Sequence, residues 1–295
     1  MPLERHFFLG FIQKKEKNVE RKIYFGIKFV FLYQISNMKI KEVVVALERF
    51  APLPLQESYD NAGLQIGLTE AEASGVLLCL DVTEAVIREA EERGCNLVIA
   101  HHPLLFRGLK RVSDSTYVER CVREAILRNI AVYAAHTNLD NARGGVNFKI
   151  AEKLHLQNVR FLVQEGEGGS GILGDLPVEE SPIAFLQRVK ETFQVDCLMH
   201  NEGPAHPVHT VALCGGAGDF LLNDAISAGA DVFLTGEMGY HLYFGHEPDI
   251  WIGVLGHYQS EQYTIDLLGE ILHANYPDLK ICQTAINTNP IHYLK

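Results

Sequence analysis

The sequence has few cysteines, and none of them are paired at the spacing of a thiolate metal site. Six cysteines are scattered over 295 residues without a C-x-x-C pair. Cys79 and Cys214 lie inside apolar runs that are typical of strands. This pattern argues against a structural thiolate site and against a disulfide framework, and it predicts reduced core cysteines in a cytoplasmic protein.

Long apolar runs and an excess of positive charge are also missing. No run approaches the roughly 20 uninterrupted apolar residues of a membrane-spanning helix, so we expect a soluble protein with no membrane partner. Lys and Arg number 26 against 37 Asp and Glu, which gives a formal net charge of -11. That balance argues against a protein that tracks nucleic-acid phosphates over a broad surface, although it allows a local metal-lined pocket.

Residues 1–37 differ from the rest of the chain, because Lys and Arg outnumber Asp and Glu there. The apolar run "FFLGFI" is short for a secretory signal and is followed by "KKEK". An organellar presequence is a weaker alternative. We interpret 1–37 as an upstream extension and expect the working protein to begin near Met38, where "MKIKEVVVALERFAP" predicts an amphipathic helix.

From residue 76 onwards, short apolar runs alternate with helical patterns. Thr83 is a predicted N-cap and Gly94 a predicted helix stop. The predicted strands of the first half are "VLLCLD" (76–81), "NLVIA" (96–100) and "IAVYAA" (130–135). Such alternation predicts parallel strands that are buried on both faces by helices.

The alternation stops at 156–209 and returns from residue 210. The predicted strands of the second half are "TVALCGG" (210–216), "DVFLTG" (231–236), "DIWIGVLG" (249–256) and "KICQTA" (280–285). We therefore predict an α/β protein with two sandwich-like halves of mostly parallel sheets. The predicted divisions are a first half at 38–155, a glycine-rich connecting segment with a small βα element at 156–209, and a second half at 210–295.

Imidazoles and carboxylates follow three of these predicted strands. In open parallel sheets, ligands bind at the carboxyl ends of the strands, where loops and helix N-termini converge. The residues that follow these strands are His101, His102, His136, Asp140, His257 and Glu261. Each residue alone is most simply a polar strand cap or a solvated helix pair, but their coincidence at three strand ends favours a metal site.

The spacing of these residues suits two metal ions. His257 and Glu261 are four apart and lie on one face of a predicted helix. His101 and His102 are expected to point to opposite sides of an extended backbone, which Pro103 favours. Imidazole and carboxylate ligands are those of zinc, iron or manganese, and a carboxylate bridge from Asp140 or Glu261 would let two ions share an activated water.

Several segments together resemble a known family. "IAHHPLLF", "AAHTNLD" and "GHYQSE" are similar to signature segments of the NGG-one-interacting factor three (Nif-three) family, whose members are also named GTP cyclohydrolase 1 type 2 homologues. The likeness extends to "YDNAGLQIG" (59–67), to 214–241 and to "INTNP" (286–290). It covers nearly everything from Met38 onwards.

The resemblance implies a two-domain α/β protein of Nif-three-like fold that assembles as a homohexameric ring. It also implies a dinuclear centre, whose ligands map onto His101, His102, Asp140, His257 and Glu261. Two departures stand out. Tyr59 replaces a Trp that is frequent in the family, which we expect to be a conservative packing change. The segment between the halves is too short for the extra domain of longer members.

Two further histidines and one glycine-rich segment are candidates for other roles. His136 is predicted as a proton relay beside the metals, with a metal ligand and a hydrogen-bonded core histidine as alternatives. His241 follows "TGEMGY" and is predicted to face the cleft with Glu237. "CGGAGDF" resembles an anion-binding turn, but it lacks dinucleotide-binding and P-loop spacing, so close packing is the favoured reason for its glycines.

The leading functional prediction is a metal-dependent hydrolase with a small-molecule substrate. If the cyclohydrolase name applies, water adds to the imidazole carbon of the base of GTP and formate leaves, while His136 or His241 transfers protons. One alternative is a metal-binding assembly or regulatory factor without turnover. A further alternative is a phosphoester or nucleic-acid hydrolase, which the net charge disfavours.

Overall fold

The computed structural model describes residues 38–294, so the predicted upstream extension at 1–37 lies outside the described residues. The helices are α1 (Ile40–Phe50), α2 (Glu84–Glu92), α3 (Tyr117–Leu127), α4 (Thr137–Asp140), α5 (Val146–Lys153), α6 (Pro182–Thr192), α7 (Leu222–Ser227), α8 (His257–Glu261) and α9 (Thr264–Asn275). The strands are β1 (Gly63–Ile66), β2 (Val76–Cys79), β3 (Leu97–Ala100), β4 (Ala131–Ala134), β5 (Gln157–Glu165), β6 (Gly168–Glu180), β7 (Met199–His200), β8 (Val208–Cys214), β9 (Val232–Thr235), β10 (Trp251–Val254) and β11 (Ile281–Gln283).

The first sheet has five strands in the order β1-β4-β3-β2-β11. Strands β4, β3, β2 and β11 are parallel, and β1 pairs with β4 in the antiparallel sense. The last of the described strands, β11, therefore forms one edge of a sheet that is otherwise built from residues 63–134. This pairing joins the predicted second half to the first sheet.

The second sheet has six strands in the order β5-β6-β8-β9-β10-β7. Its central strands β8, β9 and β10 are parallel. The outer strands β5, β6 and β7 are antiparallel to their neighbours. Residues 156–209 thus supply the long β5–β6 hairpin and α6 as well as the connection, and Gly166, with φ of 57°, lies in the hairpin turn.

The predicted α/β fold is confirmed, with two mixed sheets. Each strand predicted from the alternating pattern is present, and Thr83 caps α2 by accepting a hydrogen bond from the backbone N–H of Val86. Cys79 and Cys214 are buried free thiols, as predicted. No helix among the described residues is both long enough and apolar enough to span a membrane.

The two sheets share one apolar core. Leu78 and Ile99 of the first sheet belong to the same buried cluster as Leu213 and Leu234 of the second. Leu268 of α9 is part of that cluster and is fully buried. Because the core spans both sheets, it fixes the positions of the carboxyl ends of their parallel strands relative to each other.

Candidate metal centre

The five predicted metal ligands meet where parallel strands of the two sheets end. His101 and His102 follow β3, Asp140 ends α4 just after β4, and His257 and Glu261 begin and end α8 after β10. Together with His136, these residues form three groups, and within each group all ligand atoms lie within 4.8 Å of one another. The groups are His101, Asp140 and Glu261; His102, His257 and Glu261; and His101, His102 and His136.

We call His101, Asp140 and the Oε1 atom of Glu261 the inner group. His101 Nε2 lies 3.7 Å from Asp140 Oδ1 and 3.7 Å from Glu261 Oε1. The Nδ1 atom of His101 donates to the carbonyl oxygen of Ala135 at 2.7 Å, so Nε2 is the ring nitrogen left to bind a cation. Both Nε2 and Asp140 Oδ1 are buried without a hydrogen-bond partner among the described residues. Lone pairs that converge in this way fit a bound cation.

We call His102, His257 and the Oε2 atom of Glu261 the outer group. The Nε2 atoms of the two imidazoles are 3.2 Å apart, and they lie 3.0 and 3.2 Å from Oε2. Each Nδ1 atom faces a carboxylate at 2.8 Å, from Asp81 for His102 and from Glu237 for His257. Carboxylates in this position orient imidazole ligands and make them more basic.

The carboxylate of Glu261 joins the two groups, and a glycine makes room for it. Glu261 is buried on α8. Gly216 has φ of 60°, and a Cβ atom there would collide with Glu261 Oε1. The backbone N–H of Gly216 donates to Ser260 Oγ at 3.0 Å, which holds the turn against α8. Close packing, favoured from the sequence for "CGGAGDF", agrees with this geometry.

The pKa values of the two buried carboxylates in the cluster are shifted in opposite directions. Burial raises the pKa of Asp140 to about 7, and the neighbouring Glu261 carboxylate adds to the shift. Burial also opposes ionisation of Glu261, but the surrounding imidazoles outweigh it and hold its pKa well below the usual range.

The pKa values of both outer imidazoles are raised. Burial disfavours the charged form of His102, yet hydrogen bonds with Asp81 and Glu261 raise its pKa to about 10. For His257, burial is likewise outweighed by Glu261, and the pKa rises to about 9. In the absence of metal, protons on these rings supply the charge that balances the carboxylates.

His136 lies beside the cluster and is held by a buried carboxylate. Its Nδ1 atom is 2.8 Å from Asp60 Oδ1, and the Asp60 side chain is fully buried. The backbone N–H and the hydroxyl of Thr137 both donate to Asp60 Oδ2. Although burial opposes ionisation of Asp60, the hydrogen bonds from His136 and Thr137 lower its pKa to about 2. The ring centroid of His136 lies 5.3 Å from that of His101 and 5.5 Å from that of His102.

His241 is not brought into the cluster. It lies on a 3-10 helix at Tyr240–Tyr243, is exposed, and contacts the rings of Tyr240 and Phe244. It belongs to none of the three groups found among the described residues. Glu237, predicted as its companion, contacts His257 instead. The proposed proton-transfer role therefore has structural support at His136 and not at His241.

His101 and His102 do not point to opposite sides, contrary to expectation. Their ring centroids lie 4.8 Å apart. The backbone bends at both residues, so the alternation of an extended strand no longer applies there. The two imidazoles nevertheless serve different groups, because Glu261 presents one oxygen to each.

Three supporting residues were missed by the sequence reasoning. Asp81 follows β2 and was overlooked because that strand end carries no imidazole. Asp60 belongs to "YDNAGLQIG", which was used only as a family resemblance. Thr288 of "INTNP" donates to Asp81 Oδ2 at 2.7 Å. A search of every strand end for carboxylates would have found Asp81, but no local pattern predicts Thr288.

Comparison with known proteins gives a consistent result. Residues 38–290 match the model of Duf34/NIF3 (NGG1p interacting factor 3). A GTP cyclohydrolase 1 type 2 homolog of Clostridium acetobutylicum is 32% identical over 231 residues, covering 76% of this chain and 86% of that protein. NIF3-like protein 1 of Drosophila melanogaster is 33% identical over 213 residues, covering 70% and 72%. The crystal structure of a Bacillus cereus protein related to NIF3 aligns with a TM-score of 0.80 at 25% identity, covering 88% of this chain and 100% of that chain.

Proposed function

The chain belongs to the Duf34/NIF3 (NGG1p interacting factor 3) family, and from this premise we propose that its cluster binds two divalent metal ions and that the protein is a metal-dependent hydrolase. The observation that carries the proposal is the Glu261 carboxylate. Its two oxygens face two different sets of imidazoles, the inner His101 and the outer His102 with His257.

The chemistry of the donor atoms supports a metal rather than a purely structural network. All three imidazoles direct Nε2 towards carboxylate oxygens, because each Nδ1 already faces an acceptor. Nitrogen and oxygen donors of this kind suit zinc, iron or manganese. Burial raises the pKa of the Cys214 thiol strongly, and Cys214 belongs to none of the ligand groups found among the described residues.

Hydrolysis follows from what such a pair of ions supplies. Two bound divalent ions lower the pKa of water towards neutrality and stabilise negative charge that develops on the substrate. The protein residues do the rest. The Asp60 carboxylate fixes the His136 ring through Nδ1, so that its other ring nitrogen, Nε2, can accept or return a proton beside the reacting centre.

The first candidate substrate is GTP, because relatives such as that of Clostridium acetobutylicum are named GTP cyclohydrolase 1 type 2 homologs. In that reaction a first water adds to the imidazole carbon of the guanine base and the ring opens to a formamide, and a second water hydrolyses the formamide to release formate. His136 would transfer protons during the attack. Generic phosphoesters are the second class to assay, since a pair of metal ions also activates water for attack on phosphorus.

Elemental analysis of freshly purified protein, followed by assay of the metal-replete form, tests the proposal. We expect two divalent ions per chain and turnover of GTP or a phosphoester that Asp140→Ala abolishes. If the wild-type protein turns over nothing and differs from Asp140→Ala only in metal content, the hydrolase proposal is wrong.

That negative outcome would favour the second candidate, a metal-binding assembly or regulatory factor. The description of the family as an interacting factor supports this candidate. We also propose a homohexamer, which rests on family resemblance, and light scattering at micromolar concentration checks it. A monomer would remove the proposed assembly and leave the metal site unaffected.

A further inference from the structure

The segment "YDNAGLQIG" contributes none of the five predicted metal ligands, yet it lies beside the site, where its Asp60 contacts His136. Tyr59, where we expected a conservative packing residue, is 63% exposed. We propose that Tyr59 and Phe106 form an aromatic subsite that binds a planar heteroaromatic ring of a ligand beside the metal cluster. The inference deepens the proposed function, since it concerns the substrate of that same site.

The rings form a continuous row from the surface to the cluster. The centroids of Tyr59 and Phe106 are 6.4 Å apart at an interplanar angle of 61°. Phe106 lies 6.2 Å from the ring of His136 at 89°. His136 in turn lies 5.3 Å from His101. Phe106 is 43% exposed, so both aromatic side chains of the subsite are accessible.

The two segments that carry these rings are fastened to each other. Asn61 Nδ2 donates to the carbonyl oxygen of Leu105 at 2.6 Å, and the backbone N–H of Leu105 donates to Gln65 Oε1 at 3.0 Å. The Nε2 atom of Gln65 donates to the carbonyl oxygen of Asn61 at 2.6 Å. Tyr59 and Phe106 therefore stand on hydrogen-bonded loops, and the ordering of the subsite is largely complete before a ligand arrives.

A planar ring is the ligand group that this surface fits. Exposed aromatic faces bind heteroaromatic rings by stacking, which tolerates different ring substituents. Burial and nearby carboxylates, Glu57 foremost, raise the pKa of Tyr59, so its hydroxyl stays protonated and can donate to a ring nitrogen or carbonyl. Aliphatic ligands would gain contact area here without the stacking contribution.

The test compares two probes, one that carries a heteroaromatic base and one that lacks it. Metal-loaded full-length protein is titrated by calorimetry with guanosine monophosphate and with ribose phosphate, which lacks the base. We expect guanosine monophosphate to bind about tenfold more tightly or better. Tyr59→Leu and Phe106→Leu should each remove most of that difference, and Tyr59→Trp should retain it. Ribose phosphate binding and metal content should stay unchanged in all three variants.

Leu127→Ala is the matched control, because Leu127 is 68% exposed at the last residue of α3 and lies outside this subsite. Circular dichroism and the unfolding temperature verify that each variant is folded. Equal affinity for the two probes, or no loss of guanosine monophosphate binding in a folded Tyr59→Leu protein, overturns the proposal. A change of oligomeric mass in Tyr59→Leu without a change in probe binding also overturns it, and assigns Tyr59 to a contact between copies of the chain.

The outcome is separable from that of the proposed function. Probe binding is an equilibrium measurement that needs no turnover. A protein that binds guanosine monophosphate through Tyr59 but hydrolyses nothing would refute the hydrolase and retain the aromatic subsite. A protein that hydrolyses its substrate but binds guanosine monophosphate equally well without Tyr59 or Phe106 would refute the aromatic subsite and retain the hydrolase.

Discussion

The inner and outer groups share the Glu261 carboxylate but differ in what holds their imidazoles. In the inner group His101 is fixed by a neutral backbone carbonyl, and 3.7 Å gaps separate its Nε2 from both carboxylates. In the outer group His102 and His257 are fixed by carboxylates, and the corresponding separations are 3.0 to 3.2 Å.

This difference determines how protons compete with a metal at each group. In the outer group, protons on the imidazoles can take the place of a metal, because His102 and His257 each lie within hydrogen-bond distance of Glu261. In the inner group, protons do not take the place of a metal in this way. His101 Nε2 and Asp140 Oδ1 are buried without hydrogen-bond partners among the described residues. For the two ions of the proposed function, we infer that the outer one is the more exchangeable.

Removing the shared carboxylate should erase the difference between the groups. We expect Glu261→Ala to lose both ions. The substitution removes a carboxylate oxygen from the inner group and another from the outer group, and each group has few anionic ligands. Elemental analysis of the purified variant measures this. Glu270→Ala is the control and should keep both ions, because Glu270 of α9 pairs with Lys149 of α5 instead. Full metal content in Glu261→Ala would contradict the bridging role.

Separate substitutions should break one group at a time. Asp140→Asn keeps the shape of the side chain but removes the inner charge, so we expect one ion per chain instead of two. His257→Ala should likewise lose one ion, in this case from the outer group. Spectroscopy of cobalt-substituted protein distinguishes which site remains in each variant. If either variant keeps two ions, the division into two groups is wrong.

The pH dependence of metal affinity should differ between the groups. A bound metal displaces protons, so affinity rises about tenfold per pH unit for each proton displaced and levels off above the relevant pKa. With the pKa of Asp140 at about 7, inner-site affinity should change little above neutrality. The outer site should keep gaining affinity up to about pH 9 to 10, the pKa range of His257 and His102.

Competition titrations with a metal indicator between pH 6 and 9 measure both affinities. Because His102 and His257 gain protons at higher pH than Asp140, acidification should release the outer ion first. Release of both ions over the same pH range would show that the two groups are not distinguished by proton competition.

A smaller effect is expected from the carboxylate behind His102. Asp81→Asn preserves the hydrogen bond geometry but removes the negative charge that favours His102 as a ligand. We expect outer-site affinity to fall by about 10- to 100-fold, the range for such supporting residues, while the inner site is unchanged. Loss of inner-site affinity to the same extent would argue against an independent outer group.

The smallest effect should come from Thr288, which touches no ligand directly. Thr288→Val removes a hydroxyl that donates to Asp81 Oδ2 at 2.7 Å. One such hydrogen bond is worth about 1 kcal/mol, which corresponds to a loss of about fivefold in outer-site affinity. Thr284→Val is the matched control, because Thr284 donates to Glu89 instead. Equal effects of the two variants would show that the C-terminal segment acts only through stability.

Sequence reasoning brought the residues of the cluster together because one rule applies to most of them. Parallel strands place their carboxyl ends at the same edge of a sheet, and His101, His102 and His257 each follow such a strand. Asp60 escapes the rule because it precedes the antiparallel strand β1 in an irregular segment. Whether two adjacent imidazoles diverge also depends on a backbone bend, which composition does not encode.

The arrangement of the outer strands was harder to predict for a different reason. The glycine-rich segment before "ILGDLP" looks like a connection, but its glycines lie in a tight hairpin turn and in β6. The partner of β11 depends on tertiary structure, since no local pattern in "KICQTA" indicates pairing with β2. Alternation thus predicts which segments are strands more readily than it predicts their neighbours.

The late position of β11 and Glu261 has a consequence for biosynthesis. A ribosome delivers His101 and His102 long before α8, and β11 of the first sheet emerges after the other described strands. Pairing across such a separation is slow to form. During translation the emerging polypeptide therefore presents these imidazoles before Glu261, and the proposed ion binding must wait until α8 has been synthesised.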